Sequence, residues 1–318
     1  MRTRRQILPG LLSLALFGMG VSGAVSDVHA EARAPAAVVA TTGMIGDLAR
    51  QLGGECFAVH TLMSPGVDPH QYRPAAQDIR HFQRAELVLY NGLGLEGQLG
   101  SVLAQLGKLT PTLPVAEEAL AAAESAGQDL AITSDPHVWM DVGLWQGAID
   151  AVAKKLAQVR PDCRETLTER AADLTRRFEA LDQWIGERVN SIPESQRVLV
   201  TAHDAFAYYG RAYDIEVRGI QGISTTAEAG VADIRETAAV LVEREVPAIF
   251  IESTINPRTV EAVRSAASSD GHPVVLGGTL YGDALGEADG PAGDYIGMMR
   301  TNTHRIVEAL GGRLPDDG

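Results

Sequence analysis

The sequence predicts an α/β protein of two lobes with parallel sheets, joined by a single long, rigid helix, with the functional site in the cleft between the lobes. Three observations predict it. The chain has 318 residues, which suits two domains of roughly 150 residues each. Short apolar runs alternate with amphipathic stretches in both halves, the pattern of βαβ units around a parallel sheet. Between the halves, residues 161–189 carry helical spacing and no strand signal. A hydrophobic share of 45% with 21% charged residues is that of a folded globular chain and excludes wholesale disorder.

Residues 1–30 read as an address. Arg2, Arg4 and Arg5 form a positive n-region, and an apolar stretch from Ile7 to about Val25 follows, interrupted by Pro9 and Gly10. Val28-His29-Ala30 then offers small residues on either side of His29, so cleavage of a secretory signal peptide is expected near Ala30. The interrupting glycines and the cleavage site weigh against an uncleaved membrane anchor. Thr3-Arg4-Arg5-Gln6-Ile7-Leu8 loosely resembles a twin-arginine export signal, which leaves two export routes open. Neither cysteine adjoins the cleavage site, so a protein free in the periplasm, without a lipid anchor, is expected. Cleavage would remove three arginines and one aspartate and take the net charge from −14 to −16.

Along the mature chain, Ala37–Thr42 reads as a buried strand leading into a helix over Ile45–Leu52, and Ala58–Met63 as a second strand. Ala75–Arg84 has helical spacing, with Ile79 and Phe82 on one face, and Leu87–Tyr90 is a strand closed by the turn pair Asn91-Gly92. Glu117–Thr133, rich in Ala and Glu, reads as a surface excursion. From Pro161 to about Val189 there is no glycine before Gly186, and Leu167, Leu174, Phe178, Leu181 and Ile185 recur at helical steps. One helix of ~25 residues, ~38 Å long, is expected there. The alternation then restarts, with strands at Arg197–Thr201, Pro247–Ile251 and Pro273–Leu276 and helices at Ile234–Glu245, Arg258–Ser268 and Tyr295–Leu310. The expected division is an N-terminal lobe over 31–160, a linking helix over 161–192 and a C-terminal lobe over 193–318.

The acidic balance argues against a nucleic-acid or anionic-membrane partner, since both require a basic patch. Two cysteines, Cys56 and Cys163, are too few for a disulfide-built scaffold or a four-cysteine zinc module. An oxidising compartment permits them to pair, and two unrelated thiols are an equal reading. Eight histidines are the richer supply of chemistry. His29 leaves with the signal peptide. His60, His81 and His304 lie inside strand or helix patterns, and His272 lies at the amino end of a strand, so all four read as surface or packing histidines.

The remaining three share a context. Asp68-Pro69-His70, Asp135-Pro136-His137 and Thr201-Ala202-His203-Asp204 all sit in connections. In open α/β sheets, ligands bind outside the carboxyl ends of strands, in loops held by a rigid scaffold. Proline restricts the direction in which the following side chain is presented, and a nearby carboxylate can orient an imidazole on a metal. Two Asp-Pro-His segments and a third histidine at a strand end point to one shared metal site. The fourth position falls to a carboxylate at a strand end in the second half. Asp283, in the glycine-rich run Gly277–Gly286, is favoured over Glu252, which is also placed to cap the next helix.

At these residues the chain resembles the metal-binding solute-receptor proteins of zinc/manganese ABC importers, the cluster A-I binding proteins. The matching stretches are Thr41–Asp47, Pro65–His70, Tyr90–Leu93, Asp135–Trp139, Thr201–Phe206, Gln221–Thr225 and Gly278–Gly286, in the family's order over nearly the whole mature chain. The resemblance implies two α/β lobes linked by one rigid helix, with His70 and His137 binding a metal from the first lobe and His203 and Asp283 from the second. It also implies delivery of that metal to a membrane permease.

Three imidazoles and one carboxylate suit Zn2+, and a bidentate carboxylate would accommodate Mn2+. Family members biased to manganese tend to carry glutamate where this chain has His203, and zinc-dedicated members often carry a histidine-rich acidic loop, which the histidine-free segment Glu117–Thr133 lacks. Zinc is favoured, manganese is the alternative, and a monomer is expected. Two rivals remain. A zinc hydrolase on three histidines requires an open metal position and a general base, and no His-Glu-x-x-His motif is present. A receptor for haem or a siderophore would favour an aromatic- or arginine-lined cleft, and aromatics are only 5% of the chain.

Overall fold

A computed structural model describes residues 33–128, 130 and 134–314. The signal-peptide expectation for residues 1–30 therefore lies outside the described residues. The N-terminal lobe opens with β1 (Ala36–Ala40), α1 (Gly43–Gly53) and β2 (Phe57–Thr61). It continues through α2 (Ala76–Arg84), β3 (Leu87–Tyr90), α3 (Gly100–Leu106), β4 (Thr112–Pro114), α4 (Val115–Ser125) and α5 (Val142–Val159). Its four strands form one parallel sheet in the order β2-β1-β3-β4. The central strands are apolar on both faces, as a sheet covered by helices on both sides requires: Val38, Val39, Leu87, Val88 and Leu89 are all buried. Of the two apolar residues paired in α2, only Phe82 is buried; Ile79 is 39% exposed.

The long helix is α6, Arg164–Val189, 26 residues, preceded by a 3-10 turn at Pro161–Cys163. Leu167, Ala171, Leu174, Phe178, Leu181, Ile185 and Val189 form its buried stripe. The stripe has the three-and-four spacing of an amphipathic helix. It packs on α1 and α5.

The C-terminal lobe contains β5 (Val198–His203), α7 (Ala207–Tyr213), β6 (Glu216–Gln221), α8 (Val231–Glu243), β7 (Ala248–Glu252), α9 (Arg258–Ser269), β8 (Val275–Leu280) and α10 (Tyr295–Ala309). Its strands pair in parallel as β5-β6 and β7-β8, and β5 lies beside β7. Helix α10 packs on β8 and on α6, so α6 touches helices of both lobes.

Three expectations are corrected. Residues 117–133 do not begin as a surface excursion: α4 buries Val115, Ala116, Ala119, Leu120 and Ala123 against α5. Small side chains let two helices approach closely, and Gly147 of α5 would carry a Cβ only 3.0 Å from the Ala119 carbonyl. The last strand runs over Val275–Leu280 rather than ending at Leu276. Its pairing with β7 shifts by one residue between Ile249 and Ile251, and Gly278 sits at φ +112°. The glycine pair that reads as a strand end is a β-bulge inside the strand. Third, β5 includes His203 as its last residue instead of leaving it in the following loop.

The open question about the cysteines is resolved as a Cys56–Cys163 disulfide. It ties the segment just before β2 to the turn that starts α6.

Candidate metal centre

The structure brings His70, His137, His203 and Asp283 together, with one donor atom from each within 4.8 Å of all the others. His60, His81, His272 and His304 stand outside this cluster; His60 and His81 stack on each other with ring centroids 3.8 Å apart.

Each of the four reaches the centre by a local device. His70 follows β2 by a turn in which Asp68 Oδ1 accepts from the His70 backbone N–H at 2.9 Å. His137 is held twice by Asp135 Oδ1, which lies 2.9 Å from its backbone nitrogen and 2.6 Å from its Nδ1. The Asn91 amide, just past β3, donates to the Pro136 carbonyl at 3.0 Å and fixes the same loop. His203 ends β5, and its Nδ1 lies 2.9 Å from Glu252 Oε2 at the end of β7. Glu252 Oε1 also accepts from the His203 backbone N–H at 2.9 Å. The carboxylate that orients His203 is thus Glu252, not the adjacent Asp204.

Asp283 follows β8, and Gly282 before it has no room for a side chain. A Cβ there would collide with Glu252 Oε2 and lie 3.4 Å from His203 Cε1. The glycine lets the loop pass over the His203–Glu252 pair. Trp139 Nε1 donates to the Gly282 carbonyl at 2.9 Å, and the Tyr295 hydroxyl donates to the Trp139 carbonyl at 2.7 Å. These bonds tie the loop of His137 to the loop of Asp283 across the cleft.

With Nδ1 engaged by a carboxylate, His137 and His203 both turn Nε2 to the centre. The Nε2 atoms of His70 and His137 are 3.3 Å apart. Asp283 Oδ1 lies 3.2 Å from His137 Nε2, and Oδ2 lies 3.4 Å from His70 Nε2 and 3.2 Å from His203 Nε2. A tetrahedral ion with bonds of about 2.0–2.1 Å sets neighbouring donors about 3.3 Å apart. These four distances have about that length, and both oxygens of Asp283 face inward.

The centre is dry: His137 and His203 are fully buried, Asp283 is 2% exposed and His70 5%. Burial opposes charge on His137, but the Asp283 carboxylate and the hydrogen bond to Asp135 override it and lift its pKa to about 9. Burial likewise opposes charge on His203, and Glu252 followed by Asp283 raises it well above the usual histidine range. Asp283 is driven well below the carboxylate range against its burial, by His203 and then His137. His70 is lowered, chiefly by burial. In the ion-free centre the carboxylates of Asp283, Asp135 and Glu252 favour the protonated forms of His137 and His203, and a divalent cation would take over the role of those protons.

Glu252 enters the site in a role that sequence reasoning did not give it. Its partner His203 is distant along the chain, and the pairing depends on β5 lying beside β7, which no local motif encodes.

A family model described as zinc-uptake complex component A, periplasmic, matches residues 38–309. The zinc-binding protein TroA of Treponema pallidum is 39% identical over 314 residues, covering 96% of this chain and 99% of that protein. The manganese-binding lipoprotein MntA of Bacillus subtilis is 37% identical over 298 residues, covering 94% of this chain and 96% of that protein. The solved structure of the periplasmic zinc-binding protein TroA from Treponema pallidum matches with a TM-score of 0.83 and 40% identity, over 88% of this chain and all of that one.

Proposed function

The chain belongs to the family of periplasmic zinc-uptake complex component A proteins, and on that premise we propose that it captures a divalent transition-metal ion in the periplasm and delivers it to the permease of an ABC importer. His70 and His137 bind the ion from the N-terminal lobe, and His203 and Asp283 bind it from the C-terminal lobe. The observation that carries this reading is the convergence of four buried donor residues, one ligand atom of each within 4.8 Å of the others, with four donor distances of 3.2–3.4 Å close to the donor spacing around a tetrahedral metal.

Capture follows from the geometry. Asp135 accepts the Nδ1 proton of His137 and Glu252 pairs with Nδ1 of His203, which leaves both Nε2 lone pairs for the ion. The dry surroundings strengthen the charge interactions. Four protein donors leave no open position for an activated water, which supports a receptor rather than a hydrolase. A buried centre this tight supports a bare ion rather than haem or a siderophore. The protein acts as a monomer, secreted by a signal peptide cleaved near Ala30, with its lobes dividing near residues 160 and 192 around the linking helix.

Zinc is the favoured ion: three imidazoles suit it, and affinity at nitrogen and oxygen sites rises from manganese to zinc. Manganese is the second reading, favoured by one observation: Asp283 presents both carboxylate oxygens, which allows a fifth bond. The test is isothermal titration of wild type and His70→Ala with zinc, with manganese in competition. Loss of one of four donors should weaken zinc binding by orders of magnitude, and an unchanged titration would sink the assignment.

A further inference from the structure

On the side of the cleft next to His70, a small hydrogen-bonded knot joins the lobes. The Thr225 hydroxyl, in the loop after β6, donates to Asp68 Oδ2 at 2.6 Å. Gln71 Nε2 donates to the same Asp68 oxygen at 2.9 Å and lies 3.3 Å from the Thr225 carbonyl and hydroxyl oxygens. The other Asp68 oxygen holds the His70 backbone N–H. One carboxylate therefore grips the backbone of a proposed metal donor with one oxygen and the opposite lobe with the other. Thr225 is only 4% exposed, so the donor end of its bond to the half-buried Asp68 is shielded from water.

Behind the knot lies a polar cavity of about 360 Å³, lined by Gln71, Gln221, Thr225, Thr226, Thr254 and Asn256 among others. Gln221 sits opposite His203 in the β5–β6 register. Its buried Oε1 and the buried Thr254 Oγ1 have no hydrogen-bond partner among the described residues. A chamber with such a lining favours water. Gln71 and Thr225 of the knot line this chamber, and Asp68 of the knot holds the backbone of His70, the most exposed of the four donors at 5%.

We propose that Asp68, Thr225 and Gln71 form the latch that sets how long a captured ion stays bound. The proposal rests on the metal-receptor reading above. Asp68 and Thr225 are positioning residues: they hold the His70 loop against the C-terminal lobe and keep chamber water from replacing the His70 nitrogen. These bonds form only once the lobes have met, so they act on release and leave the first encounter with the ion unaffected.

The test is zinc release into excess chromogenic chelator, followed by stopped flow, from the wild type, Thr225→Val and Thr225→Ser. Valine keeps the size of threonine and loses the hydroxyl, whereas serine keeps the hydroxyl. Losing a hydrogen bond to a charged carboxylate should speed release about tenfold or more in Thr225→Val. The association rate should stay within about twofold, the ion-free melting temperature should not move, and Thr225→Ser should release zinc as wild type does. Release from Thr225→Val at the wild-type rate overturns the latch, as does equal acceleration by Thr225→Ser. A slowed association with a lowered ion-free melting temperature also overturns it, because that is general damage to the lobe. Wild type that takes up no zinc at all would instead overturn the metal-receptor reading.

Discussion

Proton competition at the proposed metal centre should set how zinc affinity varies with pH. The perturbation is pH, and the group to follow is His137, whose pKa is lifted to about 9 by Asp283 and Asp135 against its burial. An ion needs the Nε2 lone pair, so it must displace that proton. At pH 7 a group titrating near 9 is protonated on the order of a hundred to one, which weakens binding by about 3 kcal/mol relative to the deprotonated site. Zinc affinity should therefore rise about tenfold per pH unit from 7 towards 9 on account of His137 alone, and more steeply if His203, which is also raised, releases its proton in the same step. Chelator-buffered zinc titrations across this range measure the slope. Calorimetry in buffers of different ionisation enthalpy counts the protons, and at least one should leave per ion at pH 7. An affinity that changes less than twofold between pH 7 and 8.5, or a release well below one proton, would refute the reasoning. The ion-free protein has the opposite sign. A folded pKa above the unfolded value of about 6.5 stabilises the fold fully below pH 6.5, and that stabilisation, at most about 3 kcal/mol, is lost as pH rises through about 9. The melting-temperature gain on adding zinc should accordingly grow with pH.

Two further outcomes are expected. Glu252→Gln keeps the size of the group that orients His203 but removes its charge; zinc affinity should fall about 10- to 100-fold in a chelator-competition assay, with all four donors intact. Replacing both cysteines by serine removes a link between residues 107 apart in sequence; urea unfolding of the ion-free protein should register a loss of about 2–4 kcal/mol, while zinc affinity stays within about threefold because neither cysteine is near the centre.

Much of the architecture was legible because strand and helix carry different periods. The buried run at β1, the long stripe of α6 from Leu167 to Val189 and the βα alternation around β7 and α9 are each a pattern of apolar side chains, and such patterns survive without knowledge of the partner. The elements misjudged are those in which the chemistry is quiet. Helix α4 buries alanines, which contrast little with a surface helix. Strand β8 continues through Gly277 and Gly278, where glycine reads as a stop but serves as a bulge. Residues 142–159 received no assignment, although they form α5.

Within the candidate centre, His70 and His137 stood out because the Asp-Pro-His repeat is local, and His203 because it closes an apolar strand; Asp135 does hold His137 as such a repeat implies. The matching Asp68 instead serves the His70 backbone and the opposite lobe. The roles of Glu252, Gly282 and Thr225 were beyond reach for one reason: each acts on a residue brought near only by the fold, across β5 and β7 or across the cleft.

The disulfide and the packing of α6 bear on how such a receptor could be unloaded. The start of α6 is fastened to the N-terminal lobe by Cys163, and farther along the helix α10 lies against it, so bending the beam itself would strip packed side chains from both lobes. A loosened C-terminal lobe would more readily swing about that beam, taking His203 and Asp283 with it and leaving His70 and His137 behind. Each half would then keep two of the four donors, a weak chelator where there had been a strong one. A permease that prises the halves apart by a few ångströms would therefore dissolve the binding site mechanically, with no need for acid, reductant or a competing ligand.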